Sequence, residues 1–224
     1  MTHDRMSVLA AMMKQGVIPV FYHSDPEVCI PVIQACVNAG APCIEFTNRG
    51  DFAAYTFLEI ARHFARNDPR VIMGVGSIVD APTAGLYIAN GAKFVVGPVL
   101  NAEVARVCNR RMVPYSPGCG SASEISDAQE LGCEIVKVFP GSQVGGPEFV
   151  KAVLGPMPWT RIMPTGGVDP DEASLKAWFG AGIVAAGMGS KLITQSLLDA
   201  RDWAGIEARV RQTVELIESI RKAK

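Results

Sequence analysis

Eight short apolar runs recur along the chain, spaced by roughly 20 to 28 residues, the length of one strand–helix unit with its loops. They are VIPVFY from Val17, CIEFT from Cys43, VIMGVG from Val71 and FVVGP from Phe94. VPYSPG from Val113, IVKVFP from Ile135, IMPTGG from Ile162 and VAAGMGS from Val184 complete the set. Mixed segments with helix start signals lie between them. Asp25 precedes Pro26, Asp51 precedes FAAYTFLEIARHFA, Asp80 precedes APTAGLYIAN, and Asn101 opens AEVARVCNRR. Ser121 and Glu124 have capping-box spacing, and Asp169 with Pro170 and Glu172 reads as a further cap with proline at the first helical position. Gly40, Gly91, Gly132 and Gly182 stand where helices should end. The segment MTHDRMSVLAAMMKQG predicts a short amphipathic N-terminal helix, and WAGIEARVRQTVELIESIRKAK a long C-terminal one, polar at its end.

Eight strand-then-helix units in 224 residues predict an α/β protein, a single-domain (β/α)8 TIM barrel over residues 1–224, near the lower size limit for that fold. The rival, a doubly wound open sheet, wants a glycine-rich turn after its first strand, and VFYHSDP has none. No linker or low-complexity tract suggests a second domain.

Composition narrows the function. Hydrophobic residues make up 49% and charged residues 19%, with a formal net charge of −1. The balanced, dispersed charge offers neither a nucleic-acid footprint nor a polybasic membrane patch. No apolar run reaches the ~18 residues of a membrane span, and the N-terminus lacks a signal-peptide layout, so a cytoplasmic protein is expected. The six cysteines form no C-x-x-C pair and mostly have apolar neighbours, as buried thiols in a reducing compartment do. His3, His23 and His63 lie far apart, so a histidine-rich metal site is not expected.

Two charges interrupt apolar strands. Lys137 sits in IVKVFP, sharing strand parity with Ile135 and Phe139; Glu45 sits in CIEFT, sharing parity with Thr47 and Arg49. If both point into the barrel, two readings are open. One is a buried ion pair, a weak stabiliser because desolvation offsets much of the attraction. The other is an amine nucleophile beside an acid/base carboxyl, since burial lowers a lysine pKa and raises a carboxyl pKa. Arg49 suits a carboxylate or phosphate, Ser77 offers a hydroxyl, and Asp80 reads as a helix cap. The last two strands end in PTGGV and GMGSK, where Thr165, Gly166, Gly167, Gly187, Gly189 and Ser190 can present backbone N–H groups to a phosphate.

With these residues in view, the chain resembles the 2-keto-3-deoxy-6-phosphogluconate / 4-hydroxy-2-oxoglutarate aldolases, class I pyruvate-forming enzymes on a (β/α)8 barrel. The carriers are IEFTNRG, GVGSI, SPGCGSASE, VKVFPG and MPTGGV, and the likeness runs from about residue 5 to about residue 195. It implies a metal-independent lyase without cofactor, acting on a small-molecule keto-acid. That substrate would be 2-keto-3-deoxy-6-phosphogluconate, cleaved to pyruvate and glyceraldehyde 3-phosphate in the Entner–Doudoroff pathway, and also 4-hydroxy-2-oxoglutarate, cleaved to pyruvate and glyoxylate. By position, the resemblance implies Lys137 as the Schiff-base lysine and Glu45 as the proton shuttle. Arg49 and Thr165 would bind the pyruvyl carboxylate, and Gly166, Gly167, Gly189 and Ser190 the distal phosphate. Ser77 stands for the usual threonine, and Pro98 keeps the proline of the strand-four rim. Homotrimers are implied. Met188 and Lys191 depart from the family pattern, the first expected to narrow the phosphate site and the second to add a cation to it. The rivals are a metal-dependent pyruvate aldolase, a phosphosugar isomerase or epimerase on the same barrel, and a barrel that only binds a sugar phosphate.

Overall fold

The computed structural model describes residues 3–223. Residues 1, 2 and 224, which the expected domain and terminal helices include, lie outside the described residues. The strands are β1 (Val17–Phe21), β2 (Cys43–Thr47), β3 (Ile72–Gly76), β4 (Phe94–Val96), β5 (Tyr115–Ser116), β6 (Gly118–Cys119), β7 (Val136–Val138), β8 (Ile162–Pro164) and β9 (Ala186–Met188). The helices are α1 (Arg5–Gln15), α2 (Pro26–Asn38), α3 (Ala53–Asn67), α4 (Ala81–Ala89), α5 (Ala102–Arg110), α6 (Ala122–Glu130), α7 (Gly146–Leu154), α8 (Glu172–Ala181), α9 (Gln195–Asp199) and α10 (Trp203–Lys222). This is an α/β fold with parallel strands. A six-stranded sheet has the order β5-β4-β3-β2-β1-β9, and a three-stranded sheet the order β6-β7-β8. A single parallel bridge between Thr165 and Gly187 links the ends of β8 and β9.

Each expected strand appears, and all but β2 are shorter than the apolar run that predicted them. The fifth is divided. Pro117 has no N–H to give a ladder, so Tyr115–Ser116 pairs with β4 and Gly118–Cys119 with β7. Asp25, Asp80, Asn101 and Ser121 cap their helices as expected. Two caps differ. Asp171, not Asp169, accepts from the backbone of Ser174, while the Asp169 N–H donates to the Ser174 hydroxyl. Before α3 the cap position is Phe52, left-handed at φ 63 and without a side-chain bond, so Asp51 does not cap. Gly50 just before it has φ 81, and this tight double turn replaces the side-chain cap.

Core residues divide by strand parity into two clusters. The larger lies between strands and helices and includes Ile44, Phe46, Phe57, Tyr87 and Phe179. The smaller lies on the inner face: Ile18, Cys43, Ile72, Phe94, Val96, Ile135, Met163 and Ala185, joined by Val8, Leu9 and Met12 of α1. Helix α1 thus seals the N-terminal end of the strands. It is fastened at both ends. Arg5 makes two hydrogen bonds to the Glu134 carboxylate, at 2.7 and 2.9 Å, and Gln15 exchanges bonds with the Cys43 backbone at 2.7 and 2.8 Å. Inside, Gly74 has no side chain because the Phe94 ring fills that space; a Cβ there would overlap it. Among the described residues, no helix is long and apolar enough to cross a membrane.

Candidate active site

Glu45 lies mid-strand in β2, in register with Val20 and Gly74. Lys137 lies mid-strand in β7, in register with Gly118 and Met163. Two residues before them, Cys43 and Ile135 belong to the inner cluster, so both charged side chains project from the same inner face one layer further on. Glu45 is 2% exposed and Lys137 4%.

The carboxylate has room because Gly76, on the neighbouring strand, has no side chain: a Cβ there would overlap Glu45 Oε1. Gly187 does the same for the Thr165 hydroxyl. Glu45 Oε2 and Thr165 Oγ1 are both buried without a hydrogen-bond partner. Among the described residues, the ion pairs formed within 4.0 Å do not include Glu45 with Lys137. The Lys137 ammonium instead lies 4.5 Å from the centre of the Phe139 ring.

Burial therefore dominates the electrostatics. It raises the Glu45 carboxyl above the ordinary carboxylate range, against a lesser downward pull from Lys137 and Arg49. It lowers the Lys137 ammonium, opposed by Glu45 and reinforced by the nearby Arg49 charge. Both shifts favour the neutral forms, a lysine with a free lone pair and a carboxyl that carries a proton. The cysteines behave differently. All six are free and buried, and burial pushes the Cys29 and Cys36 thiols up to about 12, away from thiolate chemistry.

Beyond this pair a cavity of about 440 Å³ opens at the C-terminal ends of β1, β2, β7, β8 and β9, and neither Glu45 nor Lys137 is among its lining residues. Thr47 and Phe139, each two residues beyond Glu45 and Lys137, line it. Of the residues singled out from sequence, Arg49, Thr165, Gly166, Gly167, Gly189 and Ser190 also line it. Ser77 and Pro98 are half-buried just past β3 and β4 and are not among its lining residues. Met188 does not narrow the cavity: it is 1% exposed and packs in the outer core, the opposite parity from Gly187 and Gly189. Lys191 does line it. Tyr22, Phe139 and Gly76 had no part in the sequence-based site. Tyr22 lines the cavity with its hydroxyl near Gly50, where an added Cβ would lie 3.2 Å away. For Gly76 the available signal was the GVG spacing, which removes two side chains from one face of β3. Among the described residues, no group of three or more His, Cys, Asp or Glu side chains is assembled to hold a metal ion.

Comparison with known proteins adds to this geometry. A family profile described as KDPG and KHG aldolase matches residues 8–209. A 2-dehydro-3-deoxy-phosphogluconate aldolase of Treponema pallidum is 31% identical over 212 residues, covering 95% of this chain and 98% of the relative. A KHG/KDPG aldolase of Escherichia coli strain K12 is 28% identical over 199 residues, covering 89% and 91%. The crystal structure of a KDPG aldolase from Legionella pneumophila, with pyruvate captured as a covalent carbinolamine, shares the fold. Its TM-score is 0.83 at 23% identity, over 95% of this chain and 99% of that one.

Proposed function

The chain belongs to the KDPG and KHG aldolase family, and on that premise we propose that Lys137 and Glu45 carry a Schiff-base aldol cleavage of a 2-keto-3-deoxy sugar-acid phosphate. The substrate that fits best is 2-keto-3-deoxy-6-phosphogluconate, the product pair pyruvate and glyceraldehyde 3-phosphate; 4-hydroxy-2-oxoglutarate is a second substrate, as the paired names of relatives suggest. One observation carries the assignment of roles. Two opposite charges are buried on one inner face beneath a cavity, and each is shifted toward its neutral form rather than locked in an ion pair.

The steps follow from those states. The neutral Lys137 amine attacks the C2 ketone to form a carbinolamine, and protonated Glu45 gives its proton to the departing hydroxyl, releasing water and leaving an iminium. The iminium is an electron sink. When the Glu45 carboxylate takes the proton from the C4 hydroxyl, directly or through water, the C3–C4 electron pair moves into the iminium and the aldehyde leaves. Glu45 then returns that proton to C3 of the enamine, and hydrolysis frees pyruvate and Lys137. Arg49, charged and at the rim, binds the pyruvyl carboxylate with Thr165, whose buried hydroxyl lacks a partner within the protein. Gly166, Gly167, Gly189 and Ser190 hold the distal phosphate. Ser77 and Pro98 shape the far rim at the ends of β3 and β4.

The two sheets form one closed eight-stranded barrel in this reading, residues 1–224 making a single domain. The interrupted fifth strand, which pairs with β4 on one side and β7 on the other, and the Thr165–Gly187 bridge support closure. A homotrimer would use exposed apolar groups such as Phe52, Tyr55, Val79 and Val99 near the C-terminal ends of β2, β3 and β4. The six free thiols fit a cytoplasmic location.

Incubation with pyruvate and borohydride, followed by peptide mass spectrometry, tests the central role. A reduced pyruvyl adduct on Lys137 is expected. No adduct on any lysine, with pyruvate in excess, would remove the Schiff-base reading in favour of an isomerase or a binding protein.

A further inference from the structure

Among the described residues, Arg49 and Lys191 are the charged side chains that line the cavity, and no carboxylate does so. They stand at different ends of it. In the strand order β2-β1-β9, Arg49 follows β2 and Lys191 follows β9, with Tyr22 of the β1 end between them. Lys191 has a fixed main chain and a free side chain. Its carbonyl accepts two bonds from the Arg209 guanidinium, at 2.8 and 3.1 Å, and the next residues, Leu192 and Ile193, are buried. Its side chain is 72% exposed, and its ammonium lies 4.0 Å from Asp169 Oδ1. So exposed and distant a pair holds its members weakly. The ammonium therefore has a nearby resting partner and a pivot at the cavity rim. Beside it, Gly166 and Gly167 leave the surface clear of side chains, with φ of 89 and 79.

We infer that Lys191 is a specificity-determining residue that leaves Asp169 to pair with the distal phosphate of the substrate, so that the cavity selects keto-acids that carry a phosphate at the end far from the ketone. This rests on the aldolase reading above and extends it. Lys191 supplies a full positive charge to a phosphate end otherwise made of backbone and a serine hydroxyl. Asp169 competes with the phosphate for that charge.

The test compares cleavage of 2-keto-3-deoxy-6-phosphogluconate with that of 4-hydroxy-2-oxoglutarate, which carries no phosphate and whose second anion is a carboxylate bonded directly to C4, short of the phosphate end. For Lys191→Met, kcat/KM on the phosphorylated substrate should fall about tenfold, mainly through KM, with at most about a threefold fall on the other. Lys191→Arg should restore most of the loss. Asp169→Asn should lower KM for the phosphorylated substrate by about twofold to threefold, because the competing carboxylate is gone. Equal losses on both substrates, or none on either, would overturn the inference. Pyruvate trapping by borohydride, run on each protein, separates the two levels. An adduct with unchanged selectivity removes only the role of Lys191, whereas no adduct on the unaltered protein removes the aldolase reading itself.

Discussion

Two successive layers of the same inner face follow opposite rules. In the lower one, Ile18, Cys43, Ile72, Ile135, Met163 and Ala185 pack against α1 as a dry apolar cluster. Two residues further along three of those strands, the same face carries Glu45, Lys137 and Thr165, with unpartnered polar atoms and glycines that make room for them. The lower layer gains by close packing. The upper one holds groups whose charges burial disfavours, an arrangement with little merit for stability alone. On the roles proposed above, the step of two residues would convert structural positions into reactive ones while the backbone continues unchanged.

If that division is right, substitutions in the upper layer should remove activity without loss of stability. Lys137→Met is the extreme case. Turnover should drop by at least about 10⁴-fold, as for loss of a covalent nucleophile, and pyruvate trapping should disappear. The melting temperature should hold or rise, since an apolar group replaces a buried cation. A marked fall in melting temperature would mean that Lys137 is structural, and the contrast would collapse. Gly76→Ala probes the seam between the layers. Its methyl group would overlap the Glu45 carboxylate, so kcat should fall about a hundredfold and stability by about 1–3 kcal/mol, measured by steady-state kinetics and denaturant unfolding. Met163→Ala, in the lower layer, should reverse the pattern. A stability loss of about 2–5 kcal/mol should accompany a change in kcat of no more than about threefold at a temperature where the variant is folded.

A smaller effect lies in the pH dependence. The neutral pair and the ionised pair hold the same number of protons, so activity should follow a bell-shaped profile. It falls at low pH when Lys137 is charged and Glu45 protonated, and at high pH when Glu45 has lost its proton for good. Stability carries a separate signature. Because the Glu45 pKa is raised by burial, the folded protein binds more protons than the unfolded one from about pH 4.3 upward. Its contribution to stability therefore declines as pH rises from there through the raised folded value. Glu45→Gln should remove that decline in urea midpoints taken across the range. An unchanged slope would place Glu45 in contact with water.

The alternation of strands and helices was plain in the sequence because apolar runs and caps repeat so regularly. Less visible was the division of the fifth strand, where Pro117 forces Ser116 and Gly118 to pair with different neighbours. DPDE, residues 169 to 172, offers two aspartates two positions apart, and only the position of Ser174 selects Asp171 as the cap. Lys137 and Glu45 were legible because a charge in an apolar run is conspicuous. Gly76 was not, since its role is the absence of an atom opposite a side chain on another strand. The same applies to Met188 and Lys191. One parity step sends the first into the outer core, and the second lies just beyond the strand, where parity no longer predicts direction.

In the closed barrel proposed above, helix α1, fastened by Arg5 and Gln15, leaves the pair Glu45 and Lys137 with one way in and out. Traffic through that mouth is then sequential. On the proposed roles, the end of the substrate bearing the phosphate would lie nearest the exit and the carbon bound to Lys137 deepest, so the aldehyde would depart first and pyruvate follow. In the synthetic direction the queue reverses: pyruvate must enter and bond to the lysine before an aldehyde takes its place above it, and an aldehyde that arrives early blocks the way.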